Sequence, residues 1–312
     1  MTHRYTYGPV PSRRLGRSLG VDLVPHKTCN FDCVYCQLGP TPRTTMERAE
    51  YVPVDDVVED VRARLAEGVD MDYATLGGSG EPTLHRRFGE IATGIKAAGP
   101  VPIALLTNGG LFHLPDVRAA CADIDLVLPS LDAGDEETFQ RVNRPHDGLT
   151  LEGLVDGLAR LRREHPGRMW VEVFLIDGVN TSDGQVEALG RCIDRIDPHR
   201  VQLNTAVRPP AEEGVRPPAC DRMEAICELL GPRAEIIAPV RDFTPLPGAA
   251  AQQAEVLAML RRRPCTVKDI ADGLGMHPNE AVKCVRVLLD EGSVARRQRL
   301  YETYYEAVSP RA

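Results

Sequence analysis

Between about residues 19 and 240, six short apolar runs alternate with segments of helical period. This alternation limits the fold more than any other feature of the chain. The runs cover residues 20–24, 74–77, 103–107, 126–131, 170–176 and 201–205. They are rich in Val, Ile and Leu without clean polar alternation, as in strands covered on both faces. Helical segments at 54–66, 151–163 and 184–196 lie between them. Strand–helix alternation builds a parallel sheet, so the expectation is an α/β chain folded as a partial (β/α)6 barrel. An eight-unit barrel usually needs a longer stretch.

The Pro-rich stretches 208–218 and 244–247 end this region. The second is taken as a boundary, giving expected domains 1–245 and 246–312. Past it, residues 255–263 read as helix, and Thr266 with Asp269 forms a capping box for a helix ending at Gly275. Pro278 suits a first helical residue and Gly292 a C-terminal cap, with Val282, Val285, Leu288 and Leu289 as one apolar stripe between them. Residues 294–307 read as a hairpin. Three helices and a hairpin make a small winged-helix-like domain.

Directly after the first strand comes Cys29-Asn-Phe-Asp-Cys33-Val-Tyr-Cys36. Three soft thiolates on one short loop suit three corners of a 4Fe–4S cube. The fourth iron then lacks a protein thiolate and is free to be chelated by the amino and carboxylate groups of a methionine moiety. Two other readings exist. His26 with the three cysteines would make a Cys3His zinc site, cramped because all four ligands come from eleven consecutive residues. Cys33 and Cys36 alone would make a redox pair, which leaves Cys29 unexplained.

A C-x3-C-x2-C motif with an aromatic before the last cysteine, after strand one of a strand–helix repeat, resembles the radical S-adenosylmethionine (SAM) superfamily. The resemblance covers roughly residues 5–240. Residues 8–16 and 37–39 are similar to a subgroup of iron–sulfur oxidoreductases related to wyosine synthase. The resemblance implies that the cluster passes one electron to SAM, which breaks into methionine and a 5′-deoxyadenosyl radical, and that this radical takes hydrogen from a substrate. It also implies an external one-electron donor such as flavodoxin or ferredoxin. Wyosine formation itself is not expected. No cysteine precedes Cys29 to hold a second cluster, and Lys27 is the one lysine of four near the site.

The segment Gly77-Gly78-Ser79-Gly80-Glu81-Pro82-Thr83 resembles the family's amino-group-binding element. Glycines let backbone carbonyls approach a ligand, and Glu81 offers a counter-charge to an ammonium. By the same resemblance Asn108, Ser130 and Asp132, at strand ends, are candidates for ribose or carboxylate contact. Gln202 and Asn204 are candidates for the nucleoside, and the backbone beside Tyr35 for adenine. Arg13, Arg14, Arg17, Arg141, Arg144 and Arg208 are candidates to gather at the open end. The other six cysteines read as small buried hydrophobes, so no second cluster is expected. The catalytic residues beyond the cluster are unknown.

Nine cysteines, an odd number, argue for metal or redox use in a reducing cytoplasm rather than a disulfide framework. No apolar run reaches the ~18–20 residues of a membrane span, and no apolar stretch follows Arg13–Arg14 to make an export signal. The net charge of −8 supplies no global attraction to nucleic acid. Residues 251–312 carry +2, with Arg296, Arg297 and Arg299 on the hairpin. Three functions follow: a radical enzyme acting on RNA or a small metabolite, one acting on a peptide or protein, or a cluster-bearing DNA-binding redox sensor.

Overall fold

The six apolar runs become neighbours in one sheet, in chain order. The computed structural model describes residues 4–12, 14–206, 211–212, 214–237, 249–262, 264–274, 276–299 and 302–308. The expected runs are β2 (Gly16–Val21), β3 (Tyr73–Leu76), β4 (Ile103–Thr107), β5 (Leu126–Pro129), β6 (Arg168–Leu175) and β7 (Arg200–Thr205). All pair in parallel. Two further strands extend the sheet. β1 (Thr6–Ser12) pairs antiparallel on the β2 edge, and β8 (Ala234–Ile236) pairs parallel with β7. The strand order runs from β1 to β8 and the two edges do not pair, so the barrel is partial.

The crossovers are α1 (Val54–Ala66), α2 (Phe88–Ala98), α3 (Pro115–Ala119), α4 (Glu136–Val142), α5 (Leu151–Glu164), α6 (Asp183–Ile196) and α7 (Cys220–Leu230). Their boundaries have local causes. Thr150 caps α5 by accepting from the Gly153 N–H at 3.1 Å, and Arg162 and Arg163 face the negative end of its dipole. Leu151, Leu154, Leu158 and Leu161 then bury one helical stripe.

Side chains alternate across each strand, and this alternation separates core from site. Ile103, Leu105, Val171, Val173, Val201 and Leu203 join the main core against the helices. The intervening residues face the concave side, where Leu15, Ala104, Leu126 and Leu128 form a small apolar floor.

A second core holds Val256, Leu260, Ile270, Val282, Val285, Leu288 and Tyr305. It joins α8 (Ala249–Arg262), α9 (Val267–Leu274), α10 (Pro278–Asp290) and the hairpin of β9 (Val294–Arg299) and β10 (Glu302–Ala307). The Thr266–Asp269 pair bonds reciprocally as a cap for α9. Pro278 is the first residue of α10, and Gly292 takes φ +70° just beyond it. The expected boundary at 245/246 and Gly275 lie outside the described residues. One expectation fails here: Cys220 is exposed at the start of α7, and Cys227 is only half-buried.

Candidate functional site

The cysteine loop leaves β2 and is pinned from two sides. The end of α4 supplies backbone acceptors: Asn143 and Arg144 carbonyls to the Asp32 N–H, and Val142 to the Val34 N–H. The loop after β3 supplies the rest. The Lys27 N–H donates to the Ser79 carbonyl at 2.6 Å and the Glu81 N–H to the Thr28 carbonyl at 2.9 Å. This contact explains Gly80, because a Cβ there would stand 2.1 Å from the Thr28 carbonyl oxygen. Gly77 takes φ +147°, a conformation that side chains resist.

N–H donors surround the three thiols. Asn108 Nδ2 stands 3.6 Å from Cys29 Sγ, Asn143 Nδ2 stands 3.6 Å from Cys33 Sγ, and Lys27 Nζ stands 3.1 Å from Cys36 Sγ. Burial pushes the Cys29 thiol up to about 12 and Cys33 well above its ordinary value. Such thiols ionise only against a strong local positive charge, which bound iron supplies. Three thiols on one loop, each beside its own N–H donor, match a cube that takes each thiolate on a different iron, so the donor set fits the cluster. His26 does not join it, and its buried Nδ1 has no hydrogen-bond partner.

A cavity of about 390 Å³ opens on the concave face. Cys33, Cys36, Tyr35, Gly78, Gly80 and Asn204 line it, so six of the expected residues meet there. Arg14 and Glu172 pair on its wall, and Asn204 Nδ2 donates to Glu172 at 2.6 Å. A larger cavity of about 820 Å³ lies behind residues 37–42, against α9 and β10, but none of the cysteines lines it.

The other expected residues have different work. The Glu81 carboxylate is engaged by its own chain. It accepts from the Thr83 N–H and hydroxyl, the Thr107 hydroxyl and the Asn108 N–H, which fastens two loops together. Burial raises its pKa. The Asn108 amide is likewise spent on Cys29 and on Asn30 Oδ1, 2.6 Å away. Asp132 is buried and accepts from Tyr35, Asn143 and the Phe174 N–H. Ser79 is turned to Asp22. Ser130 forms a backbone bridge to Glu172, and Gln202 donates to Glu235 near the β8 edge, so neither lines the cavity.

The arginines do not gather either. Of those described, Arg14 alone reaches the cavity. Arg17 pairs with Asp70 and Asp72, Arg144 pairs with Glu212, and Arg141 is exposed. Each finds a nearer carboxylate or water. Arg13 and Arg208 lie outside the described residues. Sequence reading missed Asn30, Asn143, Glu172 and Asp22, whose partners are distant in the chain and leave no local signal. Lys27, two residues before Cys29, was the one legible hint.

The profile of the radical SAM superfamily matches residues 23–188. A protein of Brachyspira hyodysenteriae named GTPase Obg is 33% identical over 291 residues, 92% of this chain and 43% of that one. This chain thus spans less than half of that relative. A UPF0026 protein of Methanocaldococcus jannaschii is 34% identical over 233 residues, 74% of this chain and 71% of that one. Among solved structures, a radical SAM methyltransferase from Sphaerobacter thermophilus shares the fold at TM-score 0.51 and 22% identity, covering 70% of this chain and 66% of that one. No helix among the described residues is long and apolar enough to cross a membrane. The chain belongs to the radical SAM superfamily and to the UPF0026 family.

Proposed function

We propose that Cys29, Cys33 and Cys36 hold a cluster whose electron splits SAM, and that the resulting 5′-deoxyadenosyl radical takes a hydrogen atom from a small-molecule or RNA substrate. One observation carries this reading: Cys33 and Cys36 share a cavity with Gly78 and Gly80. The chain's own residues prepare that cavity. Gly78 and Gly80 put backbone without side chains on the cavity wall, where a ligand's amino group can approach closely. Tyr35, held flat on Phe174 with ring centroids 4.0 Å apart, gives the nucleoside an aromatic wall. Asn108, Asn143 and Lys27 orient the cysteine sulfurs and place partial positive charge beside them. Asn204 and the Arg14–Glu172 pair offer polar contacts to the substrate, and the apolar floor excludes water from below.

In this reading residues 1–245 form the catalytic domain and residues 246–312 a smaller one that helps choose the substrate. The enzyme works in the cytoplasm with an external one-electron donor of the flavodoxin or ferredoxin type. The cavity is walled by both parts, which favours a small molecule over a polymer.

The test is anaerobic purification, cluster reconstitution and incubation with SAM and a strong reductant, with 5′-deoxyadenosine as the readout. Cys33→Ala serves as the control. Wild-type product, absent from the variant, supports the reading. Zinc in place of iron and sulfide, with no product, overturns it.

A further inference from the structure

α10 carries its first turn into the mouth of the barrel. Its capping residue His277 stacks on Tyr7, with ring centroids 3.7 Å apart and 14° between planes. Gly20 makes room for that stack, since a Cβ there would stand 2.1 Å from the Tyr7 ring. His277 Nδ1 accepts from the Asn279 N–H at 3.1 Å and closes the helix turn. The neutral ring then carries its proton on Nε2, which donates to Asp22 Oδ2 at 2.8 Å. Asp22 also accepts from the Ser79 N–H at 3.0 Å and from its hydroxyl.

A second relay runs beside the first. Asn279 Nδ2 donates to the Tyr7 hydroxyl at 2.7 Å, which donates to the Gly77 carbonyl at 3.2 Å. Both relays end on the glycine loop. Asn279 and Lys283, one helical turn apart, also line the cavity that holds Cys36 and Gly78.

We infer that α10 is the closing wall of the cofactor cavity, and that His277 and Asn279 are positioning residues that hold residues 77–79 in their binding conformation. The inference rests on the reading that this cavity takes SAM. It names the substrate class as a molecule small enough to be enclosed beneath α10. The cavity of about 390 Å³ is walled by residues of the barrel and of α10 together. The side of α10 that carries Asn279 and Lys283 is turned to the barrel. If SAM binds best to the docked arrangement, docking and binding strengthen each other by the same factor.

The full-length reconstituted protein tests this, with SAM as the probe. Tyr7→Phe removes one hydroxyl and leaves the second core untouched, while His277→Ala removes the other relay. In the wild type, SAM should slow amide exchange in α10 as well as in residues 77–80. Each variant should bind SAM about tenfold more weakly, the loss expected for one hydrogen bond at a shielded site. Each should also exchange faster at residues 77–80 before any SAM is added. Binding within twofold of wild type in both variants, or α10 exchange indifferent to SAM, overturns the inference. Wild-type protein that binds no SAM at all overturns the function proposed above as well. Tight wild-type binding with an indifferent α10 overturns this inference alone.

Discussion

Tyr35 donates its hydroxyl to Asp132, 97 positions further along the chain. Asp132 also receives Asn143 Nδ2 at 2.6 Å and the Phe174 N–H at 2.8 Å. One carboxylate at the end of β5 thus braces the aromatic before Cys36 and the amide beside Cys33. Asp132→Ala leaves three donors inside without this acceptor, at ~1–3 kcal/mol for each one left unsatisfied. We expect a loss of at least ~3 kcal/mol and reduced iron content. Asp132→Asn keeps one acceptor oxygen but turns an N–H toward the remaining donors, so it should lose less than the alanine variant and more than nothing. Urea midpoints and iron assays check both; an alanine variant as stable as wild type removes the brace from the account.

Gly80 tests how closely the two loops must meet. Its Cβ position lies 2.1 Å from the Thr28 carbonyl oxygen, which is backbone and cannot swing aside. Gly80→Ala should cost ~1–3 kcal/mol by overpacking and abolish measurable SAM binding. Gly184→Ala is the control, because nothing lies within 4 Å of its Cβ position in α6. It should be neutral or slightly stabilising. Equal SAM affinity in the two variants would show that loop contact is not needed for binding.

Much of this arrangement was legible because its causes are local. The cysteine spacing, the capping pair Thr266–Asp269 and the helix start at Pro278 each act within a few residues. Gln202 and Asn204 were both expected at the nucleoside, but only Asn204 lines the cavity, because Glu235 on β8 takes Gln202. β1 was hidden because Pro9 and Pro11 argue against a strand, although an edge strand tolerates them. β8 has only three residues and little burial to mark it. The internal partners of Glu81 were hidden because Thr107 and Asn108 reach it from β4 only in the fold. The arginines were misread for a similar reason: Asp70, Asp72 and Glu212 capture them, and their nearness depends on the fold.

Lys27 brings a full positive charge to 3.1 Å from Cys36 Sγ. A cation beside a cluster ligand favours the reduced, more negative cluster. Lys27→Met should therefore make the cluster harder to reduce, by on the order of 100 mV, if a few kcal/mol of screened interaction is lost. Asn143→Ala removes a neutral donor from Cys33 and should shift the potential the same way by less. Spectroelectrochemical titration of the reconstituted protein reads both values. An unchanged potential in Lys27→Met would mean that the ammonium turns away once iron is bound.

His26 predicts a pH dependence in the cluster-free protein. Its pKa is pushed down to about 4, chiefly by burial, with the charges of Lys27 and Lys268 adding to the effect. The unfolded chain titrates near the ordinary 6.5. The folded protein therefore binds this proton less readily than the unfolded one. The stabilisation is complete above pH 6.5 and is lost as pH falls toward 4. His26→Gln removes this contribution while keeping a polar side chain near the buried Nδ1 position. Urea midpoints for both proteins at pH 7 and pH 4.5 should diverge, with the wild type losing more on acidification. Parallel losses would assign the acid sensitivity to the carboxylates and their arginine partners instead.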